Sequence, residues 1–387
     1  MSKYNFDEEV DRRHTFSDKW DLIDDPRLLP LWVADMDFKA APAILSAVRK
    51  AADQGVFGYA LPNQVYFKAI ADFHKRHYGA QVNEELIIPT PCVLSGLTAS
   101  LQAVARPGQK VILMTPAYNN FFSSITNSGL IPFENPLRYE NGGFSIDFDL
   151  LEQQAADEKA RVLLLCNPHN PTGRMWTEEE LIRVLDIAGK HGLIVISDEI
   201  HCNIHHKKYH FHTLTTISSE NKCRIITLNS PSKTFNVAGL KNAYIICPDQ
   251  ELYKQINRQV NINEVCDVNV FGIVGTIAAY TECDDWMDEL NEYIYNNYTV
   301  LCDFFSREFP AIKVAPLECT YLAWVDCSPL KMSDQKIKEK LLKEGKVLIN
   351  EGSLYRSPQP GFIRINMGCR LSTLQSALER FRQVFKH

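Results

Sequence analysis

The stretch RVLLLCNPHNPTGRMWTEEELIRVLDIAGKHGLIVISDEIH, residues 161–201, decides the fold. It opens and closes on two short apolar runs, 161–166 and 193–197, rich in Val, Ile and Leu and bounded by Asn, Pro, Gly or Asp, as buried strands are. Between them lies an amphipathic helix. Thr177 followed by Glu180 fits a capping box, Leu181, Val184, Leu185 and Ala188 supply the apolar stripe, and Gly192 stands just beyond the end. Strand, helix and strand in this order predict a mainly parallel sheet covered by helices, an α/β architecture.

Working outward, residues 110–114, 224–228 and 243–247 read as further buried strands. A long helical pattern runs from about residue 284 to 309 through Trp286, Leu290, Ile294, Tyr298, Leu301 and Phe305, and stops at Pro310. We expect it to lead into a smaller C-terminal domain of α+β character with strands at 321–325, 346–349 and 362–366. The first forty or so residues are punctuated by Pro and are expected to pack against that small domain. The resulting division is 1–45, 46–284 for a large domain and 285–387 for the small one.

At 387 residues the chain exceeds one ordinary domain, so two domains are the natural expectation. Its 45% hydrophobic and 23% charged residues are ordinary for a soluble globular protein, and a net charge of −6 offers nucleic acid or anionic lipid no attraction. Residues 1–10 lack a basic segment followed by an apolar one, and apolar runs such as 162–166 fall far short of the roughly 20 residues a membrane helix needs. Eleven cysteines, none in C-x-x-C spacing, read as reduced and mostly buried thiols of a cytoplasmic protein. His205, His206, His210 and His212 invite a metal reading, but lysines interrupt them and no second ligand cluster stands nearby, so a solvated loop is expected.

Ligand sites in open sheets of this kind lie at the carboxyl ends of the strands. No Walker A, G-x-G-x-x-G or G-x-S-x-G pattern occurs there. Polar segments follow three successive strands instead: Asn167-Pro168-His169-Asn170-Pro171-Thr172-Gly173, Ser197-Asp198-Glu199-Ile200-His201 and Ser230-Pro231-Ser232-Lys233. This set resembles the fold-type I enzymes of the aspartate aminotransferase superfamily, which depend on pyridoxal phosphate (PLP). Within it the chain is most similar to the MalY/PatB-type cystathionine β-lyases. The narrower likeness is carried by Trp32-Val33-Ala34-Asp35-Met36-Asp37-Phe38, Val56-Phe57-Gly58-Tyr59, Ser232-Lys233-Thr234-Phe235-Asn236 and Thr320-Tyr321-Leu322-Ala323-Trp324, and extends over nearly the whole chain.

The resemblance implies a role for each matching residue. Lys233 supplies the amine that condenses with the cofactor aldehyde and later acts as base at the substrate Cα. Asp198 pairs with the protonated pyridine nitrogen. Asn170 donates to the ring phenolate oxygen and neighbours the substrate. His201 stands where many aminotransferases have a tyrosine, so its bond is left open. Cys92 and Val93 occupy the start of a helix whose N–H groups face the phosphate. Their side chains are apolar, so the main chain must make that contact. Ser230 and Ser232 add hydroxyls, and Lys241 takes the place of a phosphate-binding arginine without its bidentate fork. Tyr118 resembles the ring stacked on the cofactor, and Arg364 the arginine that grips the substrate carboxylate. Tyr59 resembles a tyrosine that reaches the phosphate of a neighbouring subunit, which implies a homodimer with shared sites. The alternative for Tyr59 is a buried aromatic of its own subunit.

The expected partner is a small-molecule amino-acid substrate. The narrower resemblance implies carbon–sulfur β-elimination of L-cystathionine or related cysteine conjugates. An aminotransferase of the same fold shares the same residues and is the alternative. Some relatives double as regulators that bind a transcription factor, a further role to which no particular residue of this sequence points.

Overall fold

The computed structural model describes residues 3–217 and 222–386. Its central sheet has seven strands: β1 (Ile87–Thr90), β2 (Lys110–Thr115), β3 (Ile131–Pro136), β4 (Ala160–Cys166), β5 (Ile194–Asp198), β6 (Arg224–Asn229) and β7 (Ala243–Ile246). They lie in the order β1-β7-β6-β5-β4-β2-β3. The five from β3 to β6 run parallel, whereas β7 is antiparallel to both β6 and β1. The sheet is therefore mixed, though mainly parallel. All five anticipated runs are strands. The two that escaped sequence reading, β1 and β3, carry Pro89 or Pro132 and Pro136, which blur the apolar signal. Both are edge strands, where a missing backbone donor is tolerated.

Glu178–Lys190 forms the anticipated helix between β4 and β5, and Thr177 and Glu180 make the capping box in both directions. Gly192 follows with φ +68°, a left-handed turn that glycine adopts without strain. Successive residues of β4 feed opposite cores. Leu164 joins Val93 and Leu97 on one face of the sheet, while Leu163 and Leu165 join Trp176, Leu181 and Leu185 on the other. A sheet covered on both sides in this way presents functional groups only at its ends.

Asp284–Glu308, a helix of 25 residues, leads from this body to a second sheet. Here β8 (Lys313–Val314), β9 (Leu322–Asp326), β10 (Asn350–Glu351) and β11 (Phe362–Asn366) pair antiparallel in the order β8-β9-β11-β10. Val347–Leu348 lies outside that sheet and pairs in parallel with Leu29–Pro30. From Trp32 to Phe38 the N-terminal segment then crosses the gap between the two sheets, with Met36 bonded to Asn236 and Asn366 bonded to Val33. Among the described residues no helix is long and apolar enough to cross a membrane.

Candidate active site

Parallel pairing brings the ends of β4, β5 and β6 to one edge of the sheet, with Cys166 opposite Asp198 and Asp198 opposite Leu228. The polar segments that follow these strands therefore converge. A cavity of about 450 Å³ opens there. It is lined by eleven of the twelve residues singled out from the sequence: Lys233, Asp198, Asn170, His201, Tyr118, Cys92, Val93, Ser230, Ser232, Lys241 and Arg364. Tyr59 is the exception. It is fully exposed among exposed Val56, Phe57 and Leu61, so it is not a buried aromatic of its own subunit. A larger cavity of about 780 Å³, lined by His77, Asn203, His205, Asp288 and Tyr293 among others, contains none of the twelve.

The electrostatics of the smaller cavity are unusual. Burial pushes the Lys233 amine down to about 8, against the pull of Asp35 and Asp198 and helped by Arg364. Its Nζ donates to the Ala34 carbonyl at 2.6 Å. Burial pushes the Asp198 carboxyl up to about 6, opposed by the Ile200 N–H, which donates to it at 3.1 Å, and by Lys233. Arg364 is only 3% exposed and has no carboxylate partner among the described residues. Its guanidinium donates to Asn170 Oδ1 at 3.2 Å and to the Trp32 carbonyl at 2.7 Å, and lies 4.8 Å from the Tyr355 ring centroid. Its Nε has no partner. Arg364, a buried cation held only by neutral acceptors, is costly until an anion arrives.

In the same lining, Val93–Val104 begins at Cys92 with no side-chain cap, so its first N–H groups are left for a ligand. Ser230 Oγ donates to the Asn242 carbonyl at 2.7 Å and accepts the Ser232 N–H at 3.0 Å, which stitches the loop before Lys233 together. Lys241 is exposed with φ +52°. His201 is buried and its ring is held well below the usual histidine range by desolvation, so it is neutral, and Nδ1 lacks a partner. Asn120 Nδ2 donates to the Tyr118 hydroxyl at 2.8 Å, leaving that hydroxyl's own proton free. The donor set suits a ligand with an anionic group for the helix start, a basic ring nitrogen for Asp198 and a carbonyl for Lys233.

Sequence reading missed the strap across this cavity. Between Trp32 and Met36 every main-chain carbonyl is held by a side chain. Trp32 O accepts from Arg364 and Asn350, Val33 O from Asn366, and Ala34 O from Lys233 and Tyr321. Asp35 O accepts from Asn366, and Met36 O from Arg12 and Asn236. The motif was visible in the sequence, but nothing in it signals that its backbone would hold the two central cations.

The profile of the class I and II aminotransferase family matches residues 27–381. The chain belongs to that family. Among its relatives, cystathionine beta-lyase PatB of Bacillus subtilis (strain 168) is 36% identical over 382 residues, covering 98% of this chain and 99% of that protein. Protein MalY of Escherichia coli (strain K12) is 31% identical and covers 97% of each chain. The crystal structure of cystalysin from Treponema denticola, which contains a pyridoxal 5'-phosphate cofactor, superposes with a TM-score of 0.95 at 32% identity over 99% of both chains. The aminotransferase fold thus extends over the whole chain, and the cavity described above lies in it.

Proposed function

We propose that this chain is a PLP-dependent carbon–sulfur β-lyase that converts a cysteine S-conjugate and water to a thiol, pyruvate and ammonia. The carrying observation is the meeting of Arg364, without a carboxylate partner, with the desolvated Lys233 and Asp198 in one cavity. PLP fits that cavity: Lys233 and Asp198 would hold its aldehyde and ring nitrogen, Asn170 its phenolate, and the start of Val93–Val104 its phosphate, with Ser232 and Lys241 beside it. When bound, PLP supplies an electron sink for the pair left as the substrate's Cα–H bond breaks.

The remaining steps belong to this chain's own side chains. Arg364, held in place by the Trp32 carbonyl, takes the substrate α-carboxylate in a charge-assisted pair. Lys233, whose amine is shifted towards neutrality, accepts the Cα proton. Tyr118 lines the same cavity as Lys233, where its ring would stack on the cofactor. Elimination of a thiol from Cβ is favoured over transamination by the full-length similarity to cystathionine beta-lyase PatB.

Incubation with L-cystathionine, with pyruvate and free thiol as readouts, tests the reading. Pyruvate is expected from the wild type and not from Lys233→Ala, which also loses the visible absorption band that covalent attachment to Lys233 gives the cofactor. A keto acid formed only with a second keto acid as acceptor, and no thiol, would make the chain an aminotransferase instead.

The homodimer belongs to the same proposal. The exposed patch Val56, Phe57, Tyr59 and Leu61 is apolar enough to need a partner, and Tyr59 would reach the phosphate in the neighbouring subunit. The division into a large domain over 46–284 and a small one over 285–387 is supported by the two separate sheets and the single helix Asp284–Glu308 between them.

A further inference from the structure

Five charged side chains line the active-site cavity: Asp18, Asp198, Lys233, Lys241 and Arg364. Under the β-lyase reading, on which this inference rests, four of them serve the cofactor or the substrate α-carboxylate. Asp18 serves neither. Its carboxylate is exposed and makes no hydrogen bond or ion pair among the described residues.

The hydrogen bonds locate Asp18 at the substrate end. Trp32 Nε1 donates to the carbonyl of Lys19, the next residue, at 3.2 Å, and the Trp32 carbonyl accepts from Arg364 at 2.7 Å. Asp18 therefore lines the cavity beside the residue that the Trp32 ring bonds, and the carbonyl of the same Trp32 holds the α-carboxylate grip. A substrate held by Arg364 extends its sulfur substituent away from the cofactor, and the one charge left along the cavity lining to meet it is negative.

We propose that Asp18 reads the charge of the substituent beyond sulfur. It favours cysteine conjugates whose S-arm ends in an ammonium group over those whose arm ends only in a carboxylate. L-Cystathionine satisfies this with its distal ammonium, its distal carboxylate turning to solvent. Because Asp18 is exposed, the preference is modest and screened by salt.

The test compares S-(2-aminoethyl)-L-cysteine with S-carboxymethyl-L-cysteine, each normalised to uncharged S-methyl-L-cysteine, by kcat/KM for pyruvate formation. The amino conjugate is expected to be preferred, and Asp18→Asn to lower the amino-to-carboxy ratio by about 3- to 10-fold, through KM. Raising the salt should shrink the ratio in the wild type but not in the variant. A ratio indifferent to both changes overturns the inference. If neither L-cystathionine nor any of the three conjugates yields pyruvate, the β-lyase reading itself falls. Calorimetric binding of the two charged conjugates to PLP-loaded Lys233→Ala, with and without Asp18→Asn, then decides the role of Asp18 independently of turnover.

Discussion

Asp198 and Glu199 are consecutive, buried carboxylic acids with different employment. Glu199 accepts from the Ser197 and Thr213 hydroxyls and the Leu214 N–H, so its oxygens are satisfied within the protein, and desolvation still pushes it up to about 7. Asp198 accepts one backbone N–H and is left for a ligand. Since burial raises Asp198 from an ordinary 3.8 to about 6, its favourable contribution to the cofactor-free protein is complete below pH 4 and lost as pH rises through 6. Asp198→Asn should therefore stabilise the cofactor-free protein at pH 8 by about 1–3 kcal/mol, with the gain vanishing near pH 4. Urea denaturation at the two pH values measures it, and a variant no more stable at pH 8 contradicts the assignment. The same substitution should weaken PLP retention, a trade of stability against function. Spacing from Asn170 and Lys233 made Asp198 legible in the sequence. The satisfied state of Glu199 was not legible, because its partners Thr213 and Leu214 come from a separate loop.

At the scale of elements, the strap from Trp32 to Phe38 has no regular secondary structure of its own and depends on side-chain clasps. Asn236 accepts the Met36 N–H at 3.0 Å and donates to the Met36 and Phe38 carbonyls at 2.9 and 2.7 Å. It does so from a left-handed backbone, φ +55°, which asparagine tolerates better than most residues. Asn236→Gly keeps that backbone accessible while removing the clasp. We expect it to cost about 1–3 kcal/mol in denaturation and to raise KM by loosening the carbonyls that hold Lys233 and Arg364. A change of under about 0.5 kcal/mol with unaltered KM would show that the strap holds without Asn236. The motif containing Asn236 was evident in the sequence, but its partner, 200 residues earlier, was not. Strands β1 and β3 were equally hidden, since edge strands interrupted by prolines lack the run of branched apolar residues that marks β4 and β5.

For the whole molecule, a shared active site predicts complementation. A dimer mixing Tyr59→Ala with Lys233→Ala contains one site with both side chains intact. Random mixing of the two inactive variants should therefore restore about a quarter of wild-type activity. No recovery, after subunit exchange has been verified by mass, would place Tyr59 outside the neighbouring site. The sequence by itself determined the alternation of strands and helices, and with it an edge at which Asn170, Asp198 and Lys233 meet. Periodicity and capping are local, and parallel pairing then leaves one place for the strand ends. It also carried the motifs of the aminotransferase family from end to end. Tertiary structure alone decided that Arg364 is held by a carbonyl and an amide rather than a carboxylate, that the strap holds both cations, and that Asp18 lines the same cavity. Those contacts join residues hundreds of positions apart, and their energies depend on burial, which no local pattern encodes.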